Sequence, residues 1–342
     1  MSASMIDRIA DAVLYEGYLL YPYRASVKNR QRWTLGGVLP QAWCATHATG
    51  DLSSVQTECL IVGDCAAEIS LQLRFLHIIE RQVYAADAQD GLVPVDQLSV
   101  DSTTWQSWQE ATERGVTVEP IALGELLASP RSHWFSFVGS RTSVPLMGAD
   151  GVAVGAVERT LGALHGTIDL RAEPIDSTTC KVTVRVTNTT ACDDGPATDR
   201  ERALASALAS AHLVLSVSAR AEFVSLIDPP EQLRAAAAGC RNQGLWPVLV
   251  GEAADRSTML AAPIFLYDYP QIAPESPGDL FDGTEIDEIL SLRIRTLADE
   301  ERAAIRGIDP RARELLERTE SLDPAELGAL HGALRPVQPS TK

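Results

Sequence analysis

Gly166-Thr-Ile-Asp-Leu-Arg-Ala172 and Lys181-Val-Thr-Val-Arg-Val-Thr187 alternate apolar and polar side chains residue by residue, joined by Glu173-Pro-Ile-Asp-Ser177. A strand points successive side chains to opposite faces, so clean alternation describes a strand with one buried and one wet face. Two such runs around a proline-containing connection predict an antiparallel hairpin. Upstream, Cys59-Leu-Ile-Val62 and Ile69-Ser-Leu-Gln-Leu-Arg-Phe-Leu-His-Ile-Ile79 alternate or run apolar with β-branched and aromatic content, the signature of further strands. Downstream, Leu213 to Ile227, Trp246-Pro-Val-Leu-Val-Gly251 and Pro263-Ile-Phe-Leu-Tyr267 read the same way.

Helical signals surround this β body. Ile6, Ile9, Ala10, Val13 and Leu14 place an apolar face on an N-terminal helix, with Ser4 and Asp7 as a capping box and Gly17 as terminator. An alanine-rich helix is predicted from about 199 to 211. Residues 86–135 read as loop with short helical pieces such as Ile121 to Leu127. Asp228-Pro229, Asp309-Pro310 and Asp323-Pro324 each set a capping carboxylate before a proline at the first helical position. Beyond Thr284 every local signal is helical. The expected fold class is α+β: an antiparallel, sandwich-like β body with interspersed helices and a C-terminal helical region. The expected division is 1–50 as an N-terminal helix and basic, aromatic segment on the body, 51–275 as the mixed body, 276–335 as the helical region and 336–342 as a loose tail.

The 342 residues suffice for a substantial core, and 45% hydrophobic content is that of a globular protein. No apolar run approaches the ~20 residues that cross a bilayer, and charges interrupt the N-terminus where a signal peptide is apolar. A soluble, cytoplasmic protein without membrane insertion is expected. The net charge of −17 argues against nucleic acid, because phosphate binding draws on clustered Lys and Arg. The six cysteines, Cys44, Cys59, Cys65, Cys180, Cys192 and Cys240, follow no disulfide framework and read as reduced thiols.

The densest charge lies in Tyr267-Asp-Tyr-Pro-Gln-Ile-Ala-Pro-Glu-Ser-Pro-Gly-Asp-Leu-Phe-Asp-Gly-Thr-Glu-Ile-Asp-Glu288, which carries seven carboxylates and no base. Hard cations take oxygen ligands of this kind. The EF-hand template fails, however: with Gly283 at its sixth position, Gly278, Leu280 and Ile289 fall where ligands belong. Thr284 as a cap, with Glu285, Asp287 and Glu288 in the first turn, explains three of the seven carboxylates through the helix dipole. Asp268, Glu275, Asp279 and Asp282 are left as interaction candidates. A second set, Tyr18, Tyr21, Tyr23, Arg24, Arg30, Arg32 and Trp33, gathers residue types enriched at protein interfaces. Its arginines alternatively pair with the chain's own acidic loop. Cys44 and His47, followed by Cys59 and Cys65, offer a tetrahedral ligand set for zinc, though a free cysteine in an apolar strand is an ordinary small core residue. No nucleophile elbow, Walker A loop, His-Glu-x-x-His or dinucleotide fingerprint occurs, so no catalytic residue and no cofactor is assigned.

Two passages resemble a known family. They are Ala10-Asp-Ala-Val-Leu-Tyr-Glu-Gly-Tyr-Leu-Leu-Tyr-Pro-Tyr-Arg24 with Lys28-Asn-Arg-Gln-Arg-Trp33, and the segment from Pro263 to Leu290 that contains the acidic loop. They look like bacterial proteins encoded beside NiFe-hydrogenase structural and maturation genes. The resemblance covers about a quarter of the chain and brings no catalytic residues with it. It implies a non-catalytic accessory or assembly role, docking to a hydrogenase subunit or maturation factor. The alternative is a metal-dependent enzyme or metallochaperone using the loop 268–288.

Overall fold

The computed structural model describes residues 5–19, 36–47, 49–87, 91–101, 103–192 and 200–271, together with Arg313, Leu316, Glu317, Glu320 and Ser321 in helical conformation. In chain order the first elements are α1 (Met5–Leu19), α2 (Gln41–Thr46), β1 (Ser54–Gly63), β2 (Glu68–Ala86), β3 (Leu92–Val95), β4 (Gln97–Val100), β5 (Thr103–Gln106), β6 (Trp108–Ala122) and α3 (Leu123–Ala128). Then come β7 (Arg131–Phe137), β8 (Ser140–Met147), β9 (Ala153–Leu161), β10 (Leu164–Pro174), β11 (Thr179–Asn188) and α4 (Arg200–Ala205). The last are β12 (Ala209–Val217), β13 (Ala221–Val224), a 3-10 turn (Glu231–Leu233) leading into α5 (Arg234–Ala238), β14 (Trp246–Leu249) and β15 (Thr258–Ala262).

Apart from β4 and β5, which pair only with each other, the named strands pair antiparallel in two main sheets. One holds five strands in the order β13–β1–β11–β10–β7. The other is organised on β2, whose 19 residues pair with β6 along one edge and with β12 and then β9 along the other. β3 extends the β6 edge, and β15 with β14, and β8, extend the outer flanks. The fold is therefore rich in sheet, and the described helices are few and short. The expected 276–335 helical region lies outside the described residues apart from the five near its end, so the α+β description holds only in its sheet.

The predicted hairpin is β10–β11, in register from Gly166 opposite Asn188 to Pro174 opposite Cys180. Ile168, Leu170, Val182, Val184 and Val186 turn inward and meet Leu71, Leu73, Phe75, Leu213, Leu215 and Met259 from the second sheet. Burying a branched aliphatic side chain contributes about 1.5–3 kcal/mol, so this interface dominates the stability of the sandwich. Gly166 is needed where it stands: a Cβ there would overlap the Phe135 ring, which the edge strand β7 lays into the core beside Phe75 at 6.2 Å.

α1, α2 and α4 form a third layer, on the outer face of the β2 sheet. Ile9 and Val13 of α1 pack on Val248, Leu260 and Ala262. Leu14 and Tyr15 join Trp43, Leu76, Ile78, Leu204 and Leu316. Arg74 on β2 bonds Asp11 at 2.5 Å, and the Tyr15 hydroxyl donates to Glu113 at 2.6 Å. No helix among the described residues is long and apolar enough to cross a membrane.

Five local expectations change. α1 runs through Gly17 to Leu19, and Ser4 lies outside the described residues. Strands β3, β4, β5 and β6 stand where loop and short helical pieces were expected, while α3 falls on the short helix expected at Ile121 to Leu127. β6 is polar and only loosely alternating, but β2 supplies a partner along its whole length, and context of this kind overrides intrinsic preference. α4 stops at Ala205, because Leu208 pairs in both directions with Val38 (3.0 Å each) and Asn188 Nδ2 donates to the Ser206 carbonyl at 2.7 Å. The strand expected at 263–267 ends instead at Ala262, where Pro263 has no N–H to continue a ladder. At Asp228 the expected cap is absent: the 3-10 turn begins after Pro230 without a side-chain cap.

Candidate functional site

The two faces of the five-stranded sheet have different fates. The inner face is core. On the outer face, Leu233 and Ala237 from the turn and α5 cover Leu60 and Val224, so the β13–β1 side is closed. The β11–β10–β7 side remains open, bounded by Arg241, whose backbone bonds the Gln56 and Glu58 side chains, and by Asn242, whose side-chain oxygen accepts the Glu58 amide.

Register sets polar residues in rows across this open side. Gln56, Arg185, Asp169 and Ser132 stand opposite one another on β1, β11, β10 and β7. Arg185 forks onto the Gln56 side-chain oxygen, with Nε at 3.2 Å and Nη2 at 2.9 Å. Asp169 accepts the Ser132 hydroxyl at 2.5 Å and the Thr167 hydroxyl at 3.4 Å. In the row on one side lie Thr187, Thr167 and Trp134, and the Trp134 side chain is on the surface, 72% exposed. The row on the other side holds Glu58, Thr183 and Arg171. A shallow cleft of about 300 Å³ opens over Arg185, Asp169, Thr183, Arg171 and Ser132.

Glu58 anchors the floor. It is only 2% exposed, and it accepts the Thr183 hydroxyl at 3.1 Å and the Arg241 amide at 2.8 Å, with Lys181 Nζ 3.7 Å away. Burying a carboxylate without such partners costs several kcal/mol, so the network is a condition of its being there. Burial, with the Glu58 charge adding to it, pushes the nearby Cys240 thiol up to about 11. Arg171 reaches Glu58 only at 3.9 Å and Glu173 at 3.6 Å, with its side chain 52% exposed. The arrangement suits recognition by guanidinium forks, hydroxyls and one indole face, all on rigid strands.

None of the described residues among those singled out from sequence joins this open face. Tyr21, Tyr23, Arg24, Arg30, Arg32, Trp33, Glu275, Asp279 and Asp282 lie outside the described residues. Tyr18 is on α1, but its side chain is outside them too. Asp268 is described, and its carboxylate is occupied: Oδ2 accepts the Ser225 hydroxyl at 2.5 Å and Oδ1 accepts the Leu249 amide at 2.8 Å. It holds the segment after β15 onto the ends of β13 and β14.

The cysteine and histidine candidates are spread apart. Cys44 is on α2, and His47 ends that helix, stacked on Trp43 at 4.6 Å. Cys59 is buried in β1 with its thiol toward the Val182 carbonyl at 3.9 Å, whereas Cys65 is exposed in the following turn. Among the described residues no three or more His, Cys, Asp or Glu side chains converge to hold a metal. Burial raises the Cys59 thiol well above its usual range and Cys180 to about 11, which keeps both protonated at neutral pH. Burial likewise holds His77 and His212 down to about 4, so both are neutral core groups.

The open face was only partly visible in the sequence. Asp169, Arg171, Lys181, Thr183 and Arg185 are the wet positions of the alternating hairpin. Gln56, Ser132 and Trp134 join them only through pairing with distant strands, which local patterning does not reveal. No family model matches the chain, and a search of curated proteins finds no match to it.

Proposed function

We propose that this chain is a non-catalytic accessory protein that binds a protein partner through the open face of the five-stranded sheet. The observation that carries this reading is Trp134, 72% exposed on an edge strand and in the row next to Arg185 and Asp169. Tryptophan and arginine are the residues most enriched at binding hot spots, and the face around them is polar and preorganised. Val138, 87% exposed just beyond the same strand, extends the apolar border.

The resemblance of the terminal passages supplies the partner: a NiFe-hydrogenase subunit or a maturation factor. The role is then assembly, maturation or the organisation of electron transfer, with the chemistry performed by the partner. The test is affinity capture of the tagged full-length chain from its native host, with mass spectrometry of what co-purifies. Hydrogenase components should be recovered with the wild type and depleted with Trp134→Ala, and deletion should lower hydrogenase activity. Recovery of no hydrogenase component, with activity unchanged on deletion, removes the partner. Equal recovery by wild type and Trp134→Ala removes the face.

A further inference from the structure

Arg185 and Asp169 are register partners on β11 and β10. Side chains directly opposite one another on an antiparallel pair have Cβ atoms about 5 Å apart, and opposite charges there ordinarily join. These two turn away from each other. Arg185 leans over β1 to the neutral amide oxygen of Gln56, and Asp169 leans toward β7 to the hydroxyl of Ser132. Among the described residues the Arg185 guanidinium has no carboxylate partner within ion-pair distance, and the contacts of Arg171 to Glu58 and Glu173 are long, at 3.9 and 3.6 Å. The gap between the parted charges lies in the cleft of about 300 Å³.

We propose that this gap recognises an extended segment of a protein partner by a carboxylate, which Arg185 and Arg171 take, beside an N–H or ammonium donor that Asp169 accepts. The inference rests on the reading of this face as the docking surface and specifies what the partner must present. A guanidinium held by a neutral acceptor keeps its full charge and its remaining donors for a ligand, and a carboxylate is the acceptor whose geometry it matches. The chain's net charge of −17 opposes an acidic partner at long range. That field is screened over roughly 8 Å at physiological ionic strength, so the arginines in contact decide the outcome.

The spacing selects an extended segment. Alternate residues of a strand repeat at about 6.6–6.8 Å, and that is also the step between successive rows of this sheet. A segment running along β10 with its carboxylate over the Arg185–Asp169 row therefore sets the residue two positions away over the Thr167–Trp134 row. An acidic residue, any residue, then an apolar residue is the expected pattern. A compact small molecule fits less well, because the cleft is shallow and open along the strands and its aromatic neighbour lies outside it.

The test uses a displayed library of random twelve-residue peptides selected on the full-length chain. Enriched peptides should carry Asp or Glu two positions from an apolar residue. A synthetic version of the leading peptide should bind Arg185→Glu and Arg185→Gln at least about tenfold more weakly than wild type, and its own Glu→Gln counterpart should lose as much. Both substitutions lie at an exposed position, and an unchanged melting temperature confirms that the fold is kept. Enrichment of peptides without carboxylates, or equal binding by wild type and both Arg185 variants, overturns the proposal. If Trp134→Ala also abolishes capture of the native partner in that case, the docking face stands and only its carboxylate chemistry fails. If Trp134→Ala and Arg185→Glu both leave native capture unchanged, the docking reading itself falls.

Discussion

The Ser225 hydroxyl donates to Asp268 at 2.5 Å while accepting the amides of Ile227 and Asp228 at 3.1 and 2.9 Å. One serine thus ties the end of β13 to the acidic segment that follows β15. The second oxygen of Asp268 completes the latch on Leu249, and Tyr269 donates its amide to the Leu249 carbonyl at 2.7 Å.

Removing that carboxylate strands two donors at once. Asp268→Ala is expected to destabilise the chain by about 2–3 kcal/mol, since an unsatisfied donor costs about 1–3 kcal/mol. Asp268→Asn keeps one acceptor oxygen and should lose less. Urea denaturation followed by intrinsic fluorescence measures both, and an unchanged midpoint for Asp268→Ala would show that the latch carries no weight.

Stability should fall on mild acidification. His77 and His212 are held neutral with pKa values of about 4, below the ordinary ~6.5. Between those values the unfolded chain binds more protons than the folded one, so unfolding becomes easier as pH drops from about 6.5 to about 4. The full stabilisation is present above 6.5. The two groups together withdraw several kcal/mol across the window, and His77→Met should flatten the slope of the urea midpoint against pH. A midpoint constant between pH 7 and pH 5 contradicts the assignment.

Thiol chemistry should separate the cysteines. Cys65 is exposed, whereas Cys59 is fully buried with its thiol pushed well above the usual range. A thiol reagent at pH 8 should label Cys65 rapidly in the native chain and Cys59 only after denaturation. Prompt labelling of native Cys59, read by peptide mass spectrometry, would place β1 outside the core.

Glu58 and Trp134 should dissociate stability from recognition. Glu58→Ala leaves the Thr183 hydroxyl and the Arg241 amide without their acceptor, whereas Lys181 keeps Glu173 at 3.2 Å, and is expected to cost about 2–3 kcal/mol. Trp134→Ala, on the surface, should stay within about 0.5 kcal/mol of wild type while removing partner capture. A large stability loss for Trp134→Ala in thermal melting would mean that the indole is structural.

The hairpin from Gly166 to Thr187 was legible because alternation is a local property: each strand carries its own record of which face is buried. The same holds for Ile9 and Val13 on α1 and for the strands at 59–62 and 69–79. β6 was not legible. Only Val116 and Val118 of it alternate into the core, and the rest is a strand because β2 offers it a backbone partner from Glu68 to Arg81. The acidic segment drew attention for its charge density, yet its one described carboxylate proved to be a structural latch.

By itself the sequence determined that this chain builds antiparallel sheet with one wet face, that its bulk charge is acidic, and that the polar positions of the hairpin carry Asp169, Arg171, Thr183 and Arg185. Tertiary structure decided what those positions meet. Gln56 reaches Arg185 from 129 residues away, and Ser132 and Trp134 arrive on an edge strand that packs Phe135 into the core. The register of distant strands is fixed by the joint burial of every inward side chain, because a slip by one residue would turn the whole apolar set to water. No single segment records that joint condition, so the row that parts Arg185 from Asp169 exists only in the folded chain.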